Sequence, residues 1–299
     1  YNHSFALGAI SGSACLGMLI PPSVLLIVWG IITEDSIGKL FVAGVIPGIL
    51  LALLYVTYNL VRAIMKPQLA PEPDQVGLTT KLTKTEIYSG FSIIALIFLV
   101  LGGIWGGIFT ATEAAGMGAI ASFIIALCKG MNFKGVVDSV IDAGKTSAPI
   151  MILLITAGMY SRFLSLSDIN SIILEAITSV GLNQFAILIM MVVIWLVLGM
   201  LLDSISIILL TVPLFIHLVP EMNPYAFAIF GILAIEAGLL TPPFGLIVYT
   251  VKGVLTGSND NVPLGTIFMG SIPYWIMMLF VMIMVYLIPE LASWPTKFV

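Results

Sequence analysis

Long apolar runs separated by short polar segments extend from one end of the 299-residue chain to the other. Runs of about 20 apolar residues are long enough to cross a ~30 Å hydrocarbon core as an α-helix. A β-barrel would instead show short segments of alternating polarity. The pattern therefore predicts an all-α polytopic membrane protein. Its predicted helical segments are 5–32, 40–61, 87–107, 113–128, 146–164, 185–202, 204–219, 224–251 and 264–289.

Composition supports this class, because 60% of the residues are hydrophobic and only 9% are charged. Soluble proteins carry roughly a quarter charged residues. The two cysteines, Cys15 and Cys128, lie in apolar runs, so neither a disulfide nor a zinc site is expected. The chain opens at Tyr1 without a methionine, and we expect sequence to be missing upstream.

The polar segments predict the orientation of the spans. The longest, 66–86, is rich in proline and charge and is expected to be an exposed linker between two halves. Lysine and arginine residues flank this linker and a second polar joint at 128–135, and positively charged loops stay cytoplasmic. The stretch 169–180 is too polar to span and is predicted to be an interfacial helix. Segment 5–32 then runs outward and segment 224–251 runs inward.

A Pro-Pro pair interrupts each of these two oppositely directed segments. The stretches GMLIPPSVLLIV (17–28) and GLLTPPFGLIVY (238–249) align without a gap. Further along, GKLFVAGVIPG (38–48) resembles GTIFMGSIPYW (265–275), so Gly44 aligns with Gly270. Similar sequence in opposite orientation is an inverted repeat, which is typical of secondary transporters. Chance similarity between apolar sequences is the alternative.

Proline inside a helix removes a backbone donor and costs about 3 kcal/mol, so both segments are predicted to be broken helices. The first pair releases the carbonyl groups of Gly17 and Met18, and the second releases those of Gly238 and Leu239. A residue before proline avoids the α conformation, which predicts unwinding at Ile20 and Thr241. These breaks either form a site or are kinks that serve packing alone.

Oxygen atoms are concentrated near both breaks. Unwound backbone inside a membrane is tolerated only where protein or a water-filled cavity satisfies it. The freed carbonyl groups and nearby hydroxyl groups therefore predict a site for a hard cation such as Na⁺. The N-termini of the half-helices are expected to face a carboxylate. The hydroxyl groups belong to Ser11, Ser13, Ser23 and Thr241.

Two acidic residues lie in or beside these segments. Asp203 and Ser204 fall at the turn between the two apolar arms of GMLLDSISIILLTVP (199–213). An ionisable group there is a functional candidate, although an aspartate that only caps the second arm is the alternative. Glu236 lies five residues before Thr241 and either lines the same cavity or is a structural hydrogen-bonded group. Elsewhere, Thr112 is predicted to cap a helix that begins at Glu113.

Five stretches together resemble a known family. They are GSACLGMLIPPS, SIGKLFVAGVIPGILLAL, GGIWGGIFTATEAA, LGMLLDSISIILLTVP and GLLTPPFGLIV. In order and over nearly the whole chain, they resemble the large membrane (permease, DctM-like) subunit of TRAP (tripartite ATP-independent periplasmic) transporters. The family's first re-entrant hairpin is absent from this chain. Ala111 stands where the family usually has proline.

The resemblance implies an inverted-repeat secondary transporter of the elevator type, with discontinuous helices and a re-entrant hairpin. It implies Na⁺-driven import of a small organic acid across a bacterial or archaeal inner membrane. The expected partners are a periplasmic substrate-binding protein, a small membrane subunit and the lipid bilayer. Neither a nucleic-acid partner nor an organic cofactor is expected.

The resemblance also implies a division of the chain. Residues 1–65 would be the C-terminal part of the first repeat, with 66–86 as a cytoplasmic linker and 87–299 as the second repeat. The second repeat would contain a hairpin at 185–219, the broken helix 224–251 and the terminal span 264–289.

Sodium sites of the family lie where re-entrant hairpins meet the broken helices. Carried over to this chain, the Na⁺ candidates are Ser11, Ser13, Gly17, Pro21, Asp203, Ser204, Thr211, Gly238, Thr241 and Pro242. The substrate-binding candidates are Ser13, Ser23, Ser204 and Thr241.

Other functions fit the residues less well. A relative from the wider ion-transporter superfamily would import a carboxylate or another anion without a binding protein. An intramembrane enzyme would use Asp203 with Glu236 or Glu113 as acid and base, but no convergent histidine, serine or metal set accompanies them. A channel would favour continuous pore-lining helices over two broken ones. We therefore expect a transporter and not an enzyme.

Overall fold

The computed structural model describes residues 1–70, 83–179, 181, 183–255 and 262–299. The regular secondary structure of these residues is helical, which confirms the predicted all-α class. The α-helices are α1 (His3–Leu19), α2 (Val24–Thr33), α3 (Ile37–Met65), α4 (Lys84–Trp105), α5 (Ala111–Cys128), α6 (Phe133–Leu166), α7 (Ile169–Ser179), α8 (Gln184–Gly199), α9 (Ser204–Phe215), α10 (Pro224–Gly238), α11 (Leu246–Leu255), α12 (Leu264–Leu287) and α13 (Glu290–Ser293).

Several helices are long and apolar enough to cross a membrane. Among the described residues these are α3, α4, α5, α6 and α12, and α1 with α2 would form a sixth span bent by 40°. Four further apolar helices, α8 to α11, are too short to cross alone as continuous helices, with the 3₁₀ turn Ile216–Leu218 extending α9. The helices therefore fit a polytopic membrane protein.

The chain divides into two compact units, and the boundary falls within α6. One unit comprises residues 1–71 and 154–297, and the other comprises residues 72–153 and 298–299. Much of the linker predicted at 66–86 lies outside the described residues, although its first residues form a short 3₁₀ turn (Pro67–Leu69).

Helix α10 is the centre of the first unit. Every residue from Ala226 to Leu240 is buried, and the helix contacts α3, α8 and α12. Its sequence is apolar on all sides, which is the pattern expected of a helix that other helices surround. Trp29 of α2 and Trp195 of α8 pack against its Phe227, with ring centroids 5.6 Å and 5.9 Å apart.

Both Pro-Pro segments are broken as predicted. Helix α1 ends at Leu19, Ile20 has extended backbone angles, and Ser23 caps the start of α2. Helix α10 ends at Gly238, and α11 begins only at Leu246. The Pro-Pro peptide bond is cis in both breaks. The missing amide and the ring of proline explain why neither helix continues through its pair.

The halves of the two broken helices lie beside each other in a crossed arrangement. Helix α1 contacts α11, and α2 contacts α10. Helix α1 also packs on α12, where a Cβ added at Gly8 would overlap the carbonyl oxygen of Gly270. Helix α10 packs on α3, where a Cβ at Gly44 would lie 3.7 Å from Ile229. In the alignment of the two halves, Gly44 corresponds to Gly270, and extending the first aligned stretch back by nine residues pairs Ile229 with Gly8.

Between the two broken helices, α8 and α9 form the predicted pair of short apolar arms. They are joined by residues 200–203, at the turn where the sequence places Asp203. Before this pair, a separate helix lies at Ile169–Ser179, where the sequence predicts one. Residue 180, the last of the predicted stretch, lies outside the described part of the chain.

In the second unit, the predicted cap of α5 is wrong by two residues. The helix begins at Ala111, so Thr112 lies inside it and Thr110 is the N-cap. A capping box explains the difference: Glu113 accepts a hydrogen bond from the Thr110 backbone amide at 2.8 Å, and the Thr110 hydroxyl accepts one from the Glu113 amide. Helix α4 packs beside α5, and Lys129 Nζ donates to Ser89 Oγ at 2.8 Å.

The helix predicted at 146–164 begins earlier, at Phe133, and is 34 residues long. At 1.5 Å per residue it measures ~51 Å, which exceeds the hydrocarbon core of a bilayer. The polar residues in the first half of α6 led to a predicted start at residue 146. They limit the part of the helix that can lie in the membrane, but they are compatible with helical backbone. Lys145 and Asp142, for example, form an ion pair at 3.2 Å across one turn of this helix.

The close contact of α1 with α12 makes a testable prediction. Gly8→Ala places a methyl group against the backbone of Gly270, so we expect the free energy of unfolding to fall by ~1–3 kcal/mol. The midpoint of thermal unfolding of the detergent-solubilised full subunit measures this. Gly158→Ala is the matched control, because no heavy atom lies within 4 Å of a Cβ at this helical position. Equal midpoints for the two variants would contradict the packing described.

Candidate functional site

Helices α1 and α10 contact each other near their C-terminal ends, close to the two breaks. Cys15 Sγ in α1 is 4.0 Å from the carbonyl oxygen of Glu236 in α10. The C-terminal end of a helix carries about half a negative charge because its last carbonyl groups lack amide partners. Two such ends therefore meet in the interior of the first unit.

Hydroxyl groups bind some of the carbonyl oxygens that the prolines release. Ser23 Oγ donates to the carbonyl oxygen of Met18 in the first break. In the second break, Thr241 Oγ1 donates to the carbonyl oxygen of Gly238 at 2.8 Å. Each hydroxyl takes the place of an amide that proline lacks. The carbonyl oxygen of Gly238 also accepts a hydrogen bond from the Thr241 backbone amide at 3.1 Å, so both of its lone pairs are used.

The candidates on α1 face different sides of the helix. Ser11 is buried and donates to the carbonyl oxygen of Leu7 at 2.8 Å. Ser13 is exposed and donates to that of Ala9 at 2.6 Å. Residues two apart in a helix are ~200° apart around its axis, so α1 does not present both hydroxyls on one face. Gly17 is exposed, with open space where a Cβ would be.

Asp203 caps the start of α9. Its side chain is exposed and accepts hydrogen bonds from the backbone amide of Ser206 at 3.0 Å and from the hydroxyl of Ser206 at 2.5 Å. An N-cap aspartate satisfies amides that the first turn leaves without partners. The carboxylate therefore holds the turn of the hairpin in shape.

Thr211 lies between the two arms of the hairpin. Its hydroxyl accepts a hydrogen bond from Trp195 Nε1 at 2.8 Å and donates to the carbonyl oxygen of Ile207 at 2.7 Å. The side chain is 5% exposed. This candidate is thus an element of the packing between α8 and α9.

The hairpin reaches the second break through a close backbone contact. A Cβ added at Gly238 would lie 2.9 Å from the Cα of Gly199, the last residue of α8. Glycine at both positions allows this approach. Thr241 is buried beside the contact, whereas Pro242 is exposed. In the first break Pro21 is buried.

Ser204 and Glu236 form the contact between the hairpin turn and the broken helix α10. Ser204 Oγ donates to Glu236 Oε1 at 2.6 Å, and both residues are buried. Glu236 Oε2 is buried without a hydrogen-bond partner. The sequence left the role of Glu236 open, although a lone acidic residue in an apolar membrane helix is a signal for function.

Comparison with known proteins gives a consistent result. The family described as "Tripartite ATP-independent periplasmic transporter, DctM component" matches residues 1–291. The C4-dicarboxylate TRAP transporter large permease protein DctM of Pseudomonas aeruginosa is 30% identical over 296 residues, which cover 98% of this chain and 67% of that protein.

Two other relatives carry different substrate names. The sialic acid TRAP transporter permease protein SiaT of Haemophilus influenzae is 27% identical over 98% of this chain and 47% of its own length. The ectoine TRAP transporter large permease protein TeaC of Halomonas elongata is 28% identical over 98% of this chain and 67% of its own length. The chain thus spans two thirds or less of these relatives.

These matches extend over nearly the whole chain and include the two Pro-Pro breaks and the hairpin between them. The relatives are permease components of transporters and not enzymes. The chain therefore belongs to the DctM component family of tripartite ATP-independent periplasmic transporters.

Proposed function

We propose that this chain acts in the large permease subunit of a Na⁺-coupled TRAP transporter that imports a small organic acid across the inner membrane. The observation that carries the proposal is the meeting of the α1 and α10 ends beside the hairpin turn, in a chain of this family. In this proposal a periplasmic binding protein delivers the acid, and a small membrane subunit completes the transporter.

The crossed contacts of the two broken helices support an inverted repeat. If α1–α2 and α10–α11 run in opposite directions, the first half of each lies beside the second half of the other. Helix α1 contacts α11, and α2 contacts α10, in agreement with this arrangement. Gly8 with Gly270 and Ile229 with Gly44 are equivalent pairs in the two halves, and both pairs are in contact. An inverted repeat would allow the elevator movement that the family resemblance implies.

The chemistry of the breaks supports a monovalent hard cation as the coupling ion. Two helix C-termini supply partial negative charge, and main-chain oxygens supply neutral ligands of the kind that hard cations prefer. Ser204, Gly238 and Thr241 lie on the elements that meet there. The start of α2, which Ser23 caps, offers a helix N-terminus to an anionic group of the substrate.

The relatives support the proposed class of substrate. Their names include a C4-dicarboxylate and sialic acid, which are both small organic acids, and ectoine, which carries a carboxylate. We therefore propose a small carboxylate, carried inward with Na⁺. The linker 66–86 would be cytoplasmic, since its flanking lysine and arginine residues favour that side.

Removal of one hydroxyl at the second break tests the ion coupling. In the complete transporter, Thr241→Ala should raise the Na⁺ concentration for half-maximal uptake roughly 2–10-fold, as expected for the loss of one hydrogen-bonding oxygen. Thr250→Ala is the matched control, because Thr250 also bonds a carbonyl oxygen but is exposed on α11. The same sodium dependence in both variants would count against the break as an ion site.

Reconstitution tests the need for a binding protein. We expect proteoliposomes that contain only the two membrane subunits to show no uptake of the acid until the binding protein is added. The measurement is uptake of a radiolabelled acid against an inward Na⁺ gradient. Robust uptake by the membrane subunits alone would favour a binding-protein-independent anion transporter of the wider superfamily.

Labelling of introduced cysteines tests the orientation. A cysteine at Gln75, in the linker and outside the described residues, should resist a membrane-impermeant maleimide added to the periplasmic side. Ser36→Cys, at the exposed start of α3, should react under the same conditions, because segment 5–32 is predicted to run outward and the loop after it is then periplasmic. Labelling of the linker cysteine from the periplasm would overturn the proposed topology.

A further inference from the structure

Glu236 is the one charged residue of the central helix α10, and it is among the most deeply buried polar residues of the chain. It is 2% exposed, and the rest of the helix, PYAFAIFGILAIEAG, carries no ionisable group other than Tyr225 at its start. A buried carboxylate is costly unless it is paired or binds a cation. The partners of this carboxylate therefore decide what it does.

The protein satisfies only half of the carboxylate. Ser204 Oγ donates to Oε1 at 2.6 Å, whereas Oε2 is buried without a hydrogen-bond partner. The thiol of Cys15 lies beside the group and is at most a weak donor. No salt bridge in the described part of the chain joins Glu236 to a lysine, an arginine or a histidine.

The surroundings add negative charge and supply little positive charge. Glu236 lies in the last turn of α10 and contacts Cys15 near the C-terminal end of α1, and both helix ends carry partial negative charge. The start of α9 would offer the positive end of a helix, but Asp203 already caps it. An anionic substrate is repelled by such a cluster, and a small cation is attracted to it.

We propose that Glu236 supplies the fixed negative charge that binds one coupling Na⁺, with Oε2 as the charged ligand. In this proposal, main-chain oxygens of the two breaks would complete the coordination of the ion. Ser204 donates a hydrogen bond to Oε1, so the same carboxylate contacts both the hairpin turn and the ion. Binding or release of the ion would therefore change the contact between Glu236 and the hairpin. This inference rests on the proposed Na⁺ coupling and adds the residue that carries the charge.

The test separates the charge of Glu236 from its hydrogen bond. Glu236→Gln keeps an oxygen that accepts from Ser204 but removes the charge. In the complete transporter with its binding protein, the Na⁺ concentration for half-maximal uptake should rise about tenfold or more, the effect of one charge-assisted contact. Glu221→Gln is the matched control, because Glu221 is exposed in the loop before α10. It should leave the half-maximal concentration unchanged.

A second readout does not depend on transport. Na⁺ that binds only the folded protein raises its thermal unfolding midpoint, so NaCl should stabilise the purified wild-type protein more than KCl does at equal ionic strength. Glu236→Gln should lose this difference, and Glu221→Gln should keep it. If Glu236→Gln does not fold, Glu236→Asp decides: a changed half-maximal Na⁺ concentration supports the proposal, and an unchanged one overturns it.

Two failures are distinguishable. If uptake and stability of the wild-type transporter do not depend on Na⁺, the proposed coupling ion itself is wrong, and the inference falls with it. If the wild type depends on Na⁺ while Glu236→Gln keeps the same half-maximal concentration and the same stabilisation, only the inference is overturned. Glu236 would then be an uncharged group that hydrogen-bonds to Ser204 for packing.

Discussion

A proline pair inside an apolar helix leaves carbonyl oxygens without amide donors, and the hydrocarbon of a membrane offers no replacement. The chain meets this constraint twice with its own side chains. Ser23 bonds the carbonyl oxygen of Met18, and Thr241 bonds that of Gly238. In the second break the backbone amide of Thr241 also bonds the carbonyl oxygen of Gly238, and the amide of Ile247 bonds that of Leu239. Side chains and main chain together therefore replace the missing proline donors. A feature that would destabilise an ordinary helix is therefore accommodated within the protein at both breaks.

Small residues decide how closely the broken helices approach their neighbours. Gly8 lies against Gly270 where α1 crosses α12, and Gly199 lies against Gly238 where α8 crosses α10. Lipid tails are as apolar as the side chains, so helices in a membrane associate through close packing and polar contacts. The contact at Gly238 fixes the hairpin beside the second break, and this position brings Ser204 to Glu236.

Negative charge is concentrated where α1, α10 and the hairpin turn meet. Two helix C-termini and a half-satisfied carboxylate lie together in a unit whose core is mostly apolar. Asp203 serves another purpose, since it caps α9 and shapes the turn. For this reason our proposal assigns the cation to the buried one of the two acidic residues near the hairpin. The difference follows from burial, because an exposed carboxylate is screened by water and needs no partner.

The sequence by itself determined the membrane class, the two breaks and the two arms of the hairpin, because each depends on local covalent and hydrogen-bonding chemistry. Proline lacks a backbone N–H group at any position, and an apolar run of about 20 residues is most stable across a membrane. Local polarity predicted helix ends less well. Helix α6 begins at Phe133 and not at residue 146, and Thr110, not Thr112, caps α5. Only the tertiary structure decided which side chains meet. Ser204 bonds Glu236 from 32 residues away and Cys15 approaches it from 221 residues away, while Ser11 and Ser13 separate on one helix. These relations depend on the rotation and crossing of packed helices, which no single stretch of the chain encodes.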